Sequence, residues 1–129
     1  MADLVFSDEA ALGVLNTTAM PKSYDLRIYK GDYVEMLITM RDSTNAIMNL
    51  TGYTAAAKIK ANYDASTSYP FTVTIVSPAT NGKIRIYLST TVSKTIPAGD
   101  YIWDFEVINP SGDARTYLAG DVVVYNEVT

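Results

Sequence analysis

The side chains best placed for chemistry in this sequence are two acids, Asp104 and Glu106, two apart within "GDYIWDFEVINPSGD" (residues 99–113). The chain's only tryptophan, Trp103, lies beside them, between Tyr101 and Phe105 on the opposite parity. A carboxylate pair next to aromatic rings suggests glycoside cleavage, in which the two acids stand about 5–5.5 or 6.5–9.5 Å apart across a bound sugar. Same-face neighbours on a strand are roughly 7 Å apart, so spacing alone permits this. Calcium binding is the other chemistry open to such acids, since calcium takes carboxylate and carbonyl oxygens. The calcium candidates are Asp100, Asp104, Asp113 and Asp121, provided that the fold gathers them at one end. No EF-hand is present, because "DSTNAIMNL" lacks the alternating acids and the closing Glu of that loop. The plainest reading is an ordinary strand. Tyr101, Trp103, Phe105 and Val107 then form one row and anchor a core, while Ile102, Asp104, Glu106 and Ile108 form the outer row. No cleft or further set of sugar-contacting residues accompanies the acids. The expectation is therefore a solvated strand face, with no catalytic residue, no metal and no cofactor.

The residue types that are missing narrow the chemistry further. There is no cysteine and no histidine. That removes disulfides, thiol catalysis, Ser–His and Cys–His nucleophile systems, and histidine- or thiolate-ligated metals. The net charge is −4, and the ten basic residues are scattered. No Lys/Arg cluster follows a phosphate backbone, so nucleic acid is not an expected partner. The N-terminus "MADLVFSDEA" lacks the basic region and long apolar run of a signal peptide, and no stretch approaches the ~20 apolar residues of a membrane helix. Neither secretion nor a membrane partner is expected, and the N-x-T triplets at Asn16 and Asn49 are expected to stay unglycosylated.

The elements that must position these residues read as strands. A chain of 129 residues suits one domain, and 48% hydrophobic against 19% charged residues is a globular balance. From residue 23 onward apolar residues return at every second position. Tyr24, Leu26 and Ile28 share one parity, as do Val34, Met36, Ile38 and Met40. Tyr53, Ala55, Ala57 and Ile59 follow, then Phe71, Val73 and Ile75, then Ile84, Ile86 and Leu88. Turn formers separate these runs, in "DSTNAIMN", "SPATNG" and "NPSGD". "TTVSKTIPAG" reads as a crossover or one helical turn. About seven short strands spaced this way predict an all-β sandwich over residues 23–129 rather than a parallel α/β sheet. Tyr29, Tyr33, Tyr87 and Tyr125 fall on outward parities, as cross-strand pairs, as contacts for a partner protein, or as a sugar platform.

Residues 1–22 form a separate N-terminal arm in this reading. "SDEAALGVL" is a possible short helix, with Ser7 as its N-cap and acids in the first turn. Leu4, Val5, Phe6, Leu12 and Leu15 need an apolar partner. They pack on their own domain, dock on a neighbouring subunit, or belong to a disordered tail.

The order of several segments carries a resemblance. "LTGYTAAAKIK" (50–60), "GKIRIYLS" (82–89), "IPAGDYIWDFEV" (96–107), "SGDARTYLAGDVVV" (111–124) and the closing "EVT" resemble the small immunoglobulin-like domains of tailed bacteriophages. These include the N-terminal domains of phage baseplate upper proteins and related virion proteins. The likeness covers about residues 30 to 129 and leaves the arm outside it. It implies an immunoglobulin-like β-sandwich of about seven antiparallel strands. Its role would be that of a non-enzymatic assembly, docking or decoration subunit of a virion. The implied partners are other virion proteins, with copies in a homo-oligomer or symmetric array, and no catalytic residues transfer. The alternative is a carbohydrate- or host-receptor-binding sandwich using the exposed tyrosines and Trp103.

Overall fold

The structure, a computed structural model, describes residues 2–7, 21–42 and 44–128. Ten strands run through them: β1 (Ala2–Ser7), β2 (Lys22–Ser23), β3 (Leu26–Tyr29), β4 (Val34–Arg41), β5 (Thr54–Lys60), β6 (Ser68–Pro70), β7 (Thr72–Ile75), β8 (Lys83–Leu88), β9 (Gly99–Ile108) and β10 (Ala114–Tyr125). One helical turn, α1 (Thr90–Ser93), precedes β9. It forms where "TTVSKT" follows Ser89, whose hydroxyl accepts a hydrogen bond from the Val92 amide and caps the turn.

The strands make two sheets. One has the order β1–β4–β8–β7. The other runs β2–β10–β9–β5–β6, with β3 also on the β10 edge. Apart from β1, the strand order is that of the B-E-D and G-F-C-C′ sheets of an immunoglobulin-type sandwich. The fold is therefore the expected all-β sandwich, with more strands than the seven read from the sequence. The antiparallel expectation holds for the central ladders but not for the N-terminal ones. β1 pairs with β4 in parallel, and β2 and β3 both pair with β10 in parallel. Side-chain alternation reports which face is buried, but not which strand lies alongside, so these pairings were not legible.

The alternating rows meet between the sheets. Met36, Ile38, Met40, Ile84, Ile86 and Leu88 point inward from the first sheet, and Ala57, Ile59, Trp103, Phe105, Val107, Val122 and Val124 from the second. Burial of about 25 cal/mol per Å² of apolar surface across this layer is the main stabilising term. Turns of the predicted kind close the hairpins. At "NPSGD" the Asn109 side chain accepts from the Ser111 and Asp113 amides, and Gly112 takes φ 89°, a conformation that suits glycine.

Strand β10 departs from simple alternation. Its register against β9 breaks between Thr116 and Leu118, so Tyr117 and Leu118 are both buried in succession. Such a bulge twists the strand and lets two consecutive side chains serve one core. Two residues after Leu118 the chain of the opposite edge crosses close over Gly120. A Cβ at this glycine would stand 2.3 Å from the Tyr24 carbonyl oxygen. Only glycine lets Tyr24 and Asp25 bend there, which separates β2 from β3.

Candidate functional site

The two rows of β9 part as their parity dictates. Trp103, Phe105 and Val107 are buried, and Tyr101 is half-buried against the same core. Trp103 donates its indole N–H to the Tyr24 carbonyl at 2.7 Å and packs edge-on against Phe71 and Tyr24. With 3% of its surface exposed it offers no platform to a sugar, which removes the tryptophan from the carbohydrate-binding reading. The Tyr101 hydroxyl donates to the Pro97 carbonyl at 2.6 Å, a tyrosine corner at the entry to strand F.

Asp104 and Glu106 stand on the outer face of the second sheet. Asp104 lies across from Lys58 and Ala119, and Glu106 across from Ala56 and Thr116. A shallow groove of about 630 Å³ runs over this face, lined by Lys58, Lys60, Ile102, Asp104, Thr116 and Asp121 among others. Asp104 borders it and Glu106 does not, so the pair that suggested glycoside cleavage does not share a cleft. The four calcium candidates are not brought together either. Asp104 and Asp121 share the outer face, but Asp100 opens β9 while Asp113 sits in the turn at its far end. The strand from Tyr101 to Ile108 separates those two acids, a distance on the order of 30 Å. Among the described residues no group of three or more acids could hold a metal ion. Nor, among them, is any helix long and apolar enough to cross a membrane.

The arm candidates divide. Leu4, Val5 and Phe6 belong to β1 and register with Ile38, Thr39 and Met40 of β4. Leu12 and Leu15 lie outside the described residues, as does the possible helix beyond Ser7, which is itself the last residue of β1.

The exposed tyrosines form pairs. Tyr29 packs on its register partner Tyr125 at 5.3 Å between ring centroids, and Tyr33 on Tyr87 at 5.9 Å. The second pair belongs to a polar network that the sequence reading missed. Arg85 donates through Nε to Glu35 Oε2 and through Nη2 to the Tyr33 hydroxyl at 2.6 Å. The Tyr33 hydroxyl donates to Glu35 at 2.9 Å, and the guanidinium lies 4.2 Å from the Tyr87 ring centroid. The hydrogen bonds from Arg85 first, and from Tyr33 second, hold the Glu35 carboxyl below its ordinary range. A signal existed in the outward parity of Glu35, Arg85 and Tyr87. It became a contact only once β4 and β8 were known to be neighbours, with Glu35 across from Tyr87. Between Tyr29 and Tyr33 opens a cleft of about 360 Å³ that also takes in Arg27, Asp32 and Glu35.

No family model matches the chain, and no curated protein matches it. Among solved structures it is similar to the N-terminal domain of phage TP901-1 ORF48. The TM-score is 0.53 at 12% identity, with 97% of this chain and 99% of that one covered. It is also similar to the SrpA adhesin of Streptococcus sanguinis, with a TM-score of 0.45 at 10% identity, over 79% of this chain and 55% of that one. At these identities what is shared is the fold: a β-sandwich seen, end to end, in a domain of a phage protein.

Proposed function

We propose that this chain is a non-enzymatic structural subunit of a tailed-bacteriophage particle, serving assembly, docking or decoration through contacts with other virion proteins. The observation that carries the reading is the end-to-end match with the N-terminal domain of a phage protein, over 97% of this chain and 99% of that one. The chemistry of the surface agrees with it. The acids of β9 lie on an open sheet face, and histidine and cysteine are absent. On this reading the protein needs no cofactor and resides in the virion, in several copies arranged symmetrically. Residues 1–22, together with an edge strand or sheet face, make the contacts. Deleting residues 1–22 is expected to reduce incorporation into particles by tenfold or more, measured by quantitative immunoblotting of purified virions. Undiminished incorporation would sink the role of the arm.

A second reading, carbohydrate or receptor binding, is favoured by the cleft between Tyr29 and Tyr33. Both rings are about half exposed, and each is held by a packed neighbour. Glycan-array binding that is lost in Tyr33→Ala while the fold survives would move the assignment there.

A further inference from the structure

Strand β1 is attached to its sheet in an unusual way. It occupies the outer edge of the first sheet, hydrogen-bonded to β4 alone, with six consecutive residue pairs from Ala2↔Met36 to Ser7↔Arg41. The pairing is parallel, so no tight hairpin can make it, and a connection of about a dozen residues or more is required. That connection runs through residues 8–33, by way of β2 and β3 on the other sheet, and residues 8–20 are the link between β1 and the re-entry at Pro21. A link of this length reaches on the order of 45 Å when extended, comparable to the width of a small domain. Nothing in the six-pair ladder requires that β1 and β4 belong to one molecule. The same backbone bonds and the same register are available to residues 2–7 of any second copy within reach.

We infer that β1 is an exchangeable strand, and that the β4 edge (Val34–Arg41) is the docking site for residues 2–7 of a second copy of this chain. The inference rests on the reading of residues 1–22 as an arm and specifies its partner, its acceptor and its register. The second copy is the occupant that fits, because the edge already accepts this segment in parallel over its full length. In dilute solution the closed form is favoured, since the link keeps its own β1 at high effective concentration. In an array of copies the neighbour's β1 competes on equal terms, since exchange replaces one ladder by an identical one. Exchange would then tie adjacent subunits together without any new surface.

The absence of cysteine makes the test clean. Asp3 and Leu37 are register partners on adjacent strands, within the Cα separation a disulfide needs. Asp3→Cys is made in one chain and Leu37→Cys in a second chain of different mass tag. The two are mixed at high concentration, oxidised and run without reducing agent. The expected result is a reducible Asp3→Cys/Leu37→Cys heterodimer in at least fivefold excess over either homodimer, with both variants retaining the far-UV spectrum of the parent. A control pairing Asp3→Cys with Thr74→Cys, on the far edge strand β7, is expected to give no such excess. Heterodimer no more abundant than in that control would overturn the exchange. If exchange fails while deletion of residues 1–22 still abolishes incorporation, the arm docks on a different virion protein. If exchange succeeds and incorporation is unaffected, strand exchange stands and the assembly role falls.

Discussion

Trp103 shows how one side chain can settle the reading of a segment. Its indole fills the space between the sheets, and its N–H satisfies a carbonyl that the bend at Tyr24 turns toward the core. Replacing it with alanine removes the ring and leaves that carbonyl buried without this donor. Trp103→Ala is expected to lose about 3–5 kcal/mol of stability in urea unfolding. A loss below about 1 kcal/mol would place the ring outside the core. Glu35 has a different signature, one that depends on pH. Its folded-state pKa is depressed by the bonds from Arg85 and Tyr33, below an ordinary value of 4.5. The stabilisation is therefore complete above that value and is lost as the pH falls through the lower, folded-state pKa. In paired melts of the parent and Glu35→Gln, the parent's small advantage in Tm should be present at neutral pH. It should vanish toward pH 2. An advantage that grows on acidification would contradict the assigned hydrogen bonds.

Strands were legible to different degrees, and the reasons are physical. β4, β5, β8 and β9 were plain because one face is buried and the other wet, so the period-2 rows survive in the sequence. β1 shows no such alternation in "ADLVFS", and its pairing with β4 comes from a distant part of the chain. In β10 the bulge makes Tyr117 and Leu118 face the same way, which alternation would have forbidden. As for the candidate site, the inward and outward rows of β9 could be read off the residues. The Glu35–Arg85–Tyr33 network could not, since it depends on β4 and β8 being neighbours. The break between β2 and β3 hinges on Gly120, and a methyl group there collides first with the Tyr24 backbone carbonyl, which cannot swing away, and also with the Asp25 carboxyl. Gly120→Ala is expected to cost roughly 1–3 kcal/mol. It should also weaken hydrogen-exchange protection at Tyr24 and Asp121, whose amides bond across this crossing. An unchanged exchange pattern would show that the bend relaxes freely.

The two sheets differ in how they hold the N-terminal part of the chain. β1 borders one strand at a sheet edge, whereas β2 and β3 extend the ladder on β10 and their connecting bend is bonded to Trp103. A chain lacking residues 1–20 is therefore expected to keep a single cooperative unfolding transition, as followed by tryptophan fluorescence. Two separate transitions would mean that β1 is integral to the core. The parallel pairing of β3 with the last strand has a mechanical consequence. Tension applied between residue 21 and residue 128 drags β3 backward and β10 forward along their common axis. The four register pairs from Leu26↔Val122 to Tyr29↔Tyr125 are then loaded in shear, all at once, instead of being unzipped one by one. Pulled from those two points, the chain is expected to yield abruptly at that clamp, because the strands behind it carry no load until it breaks.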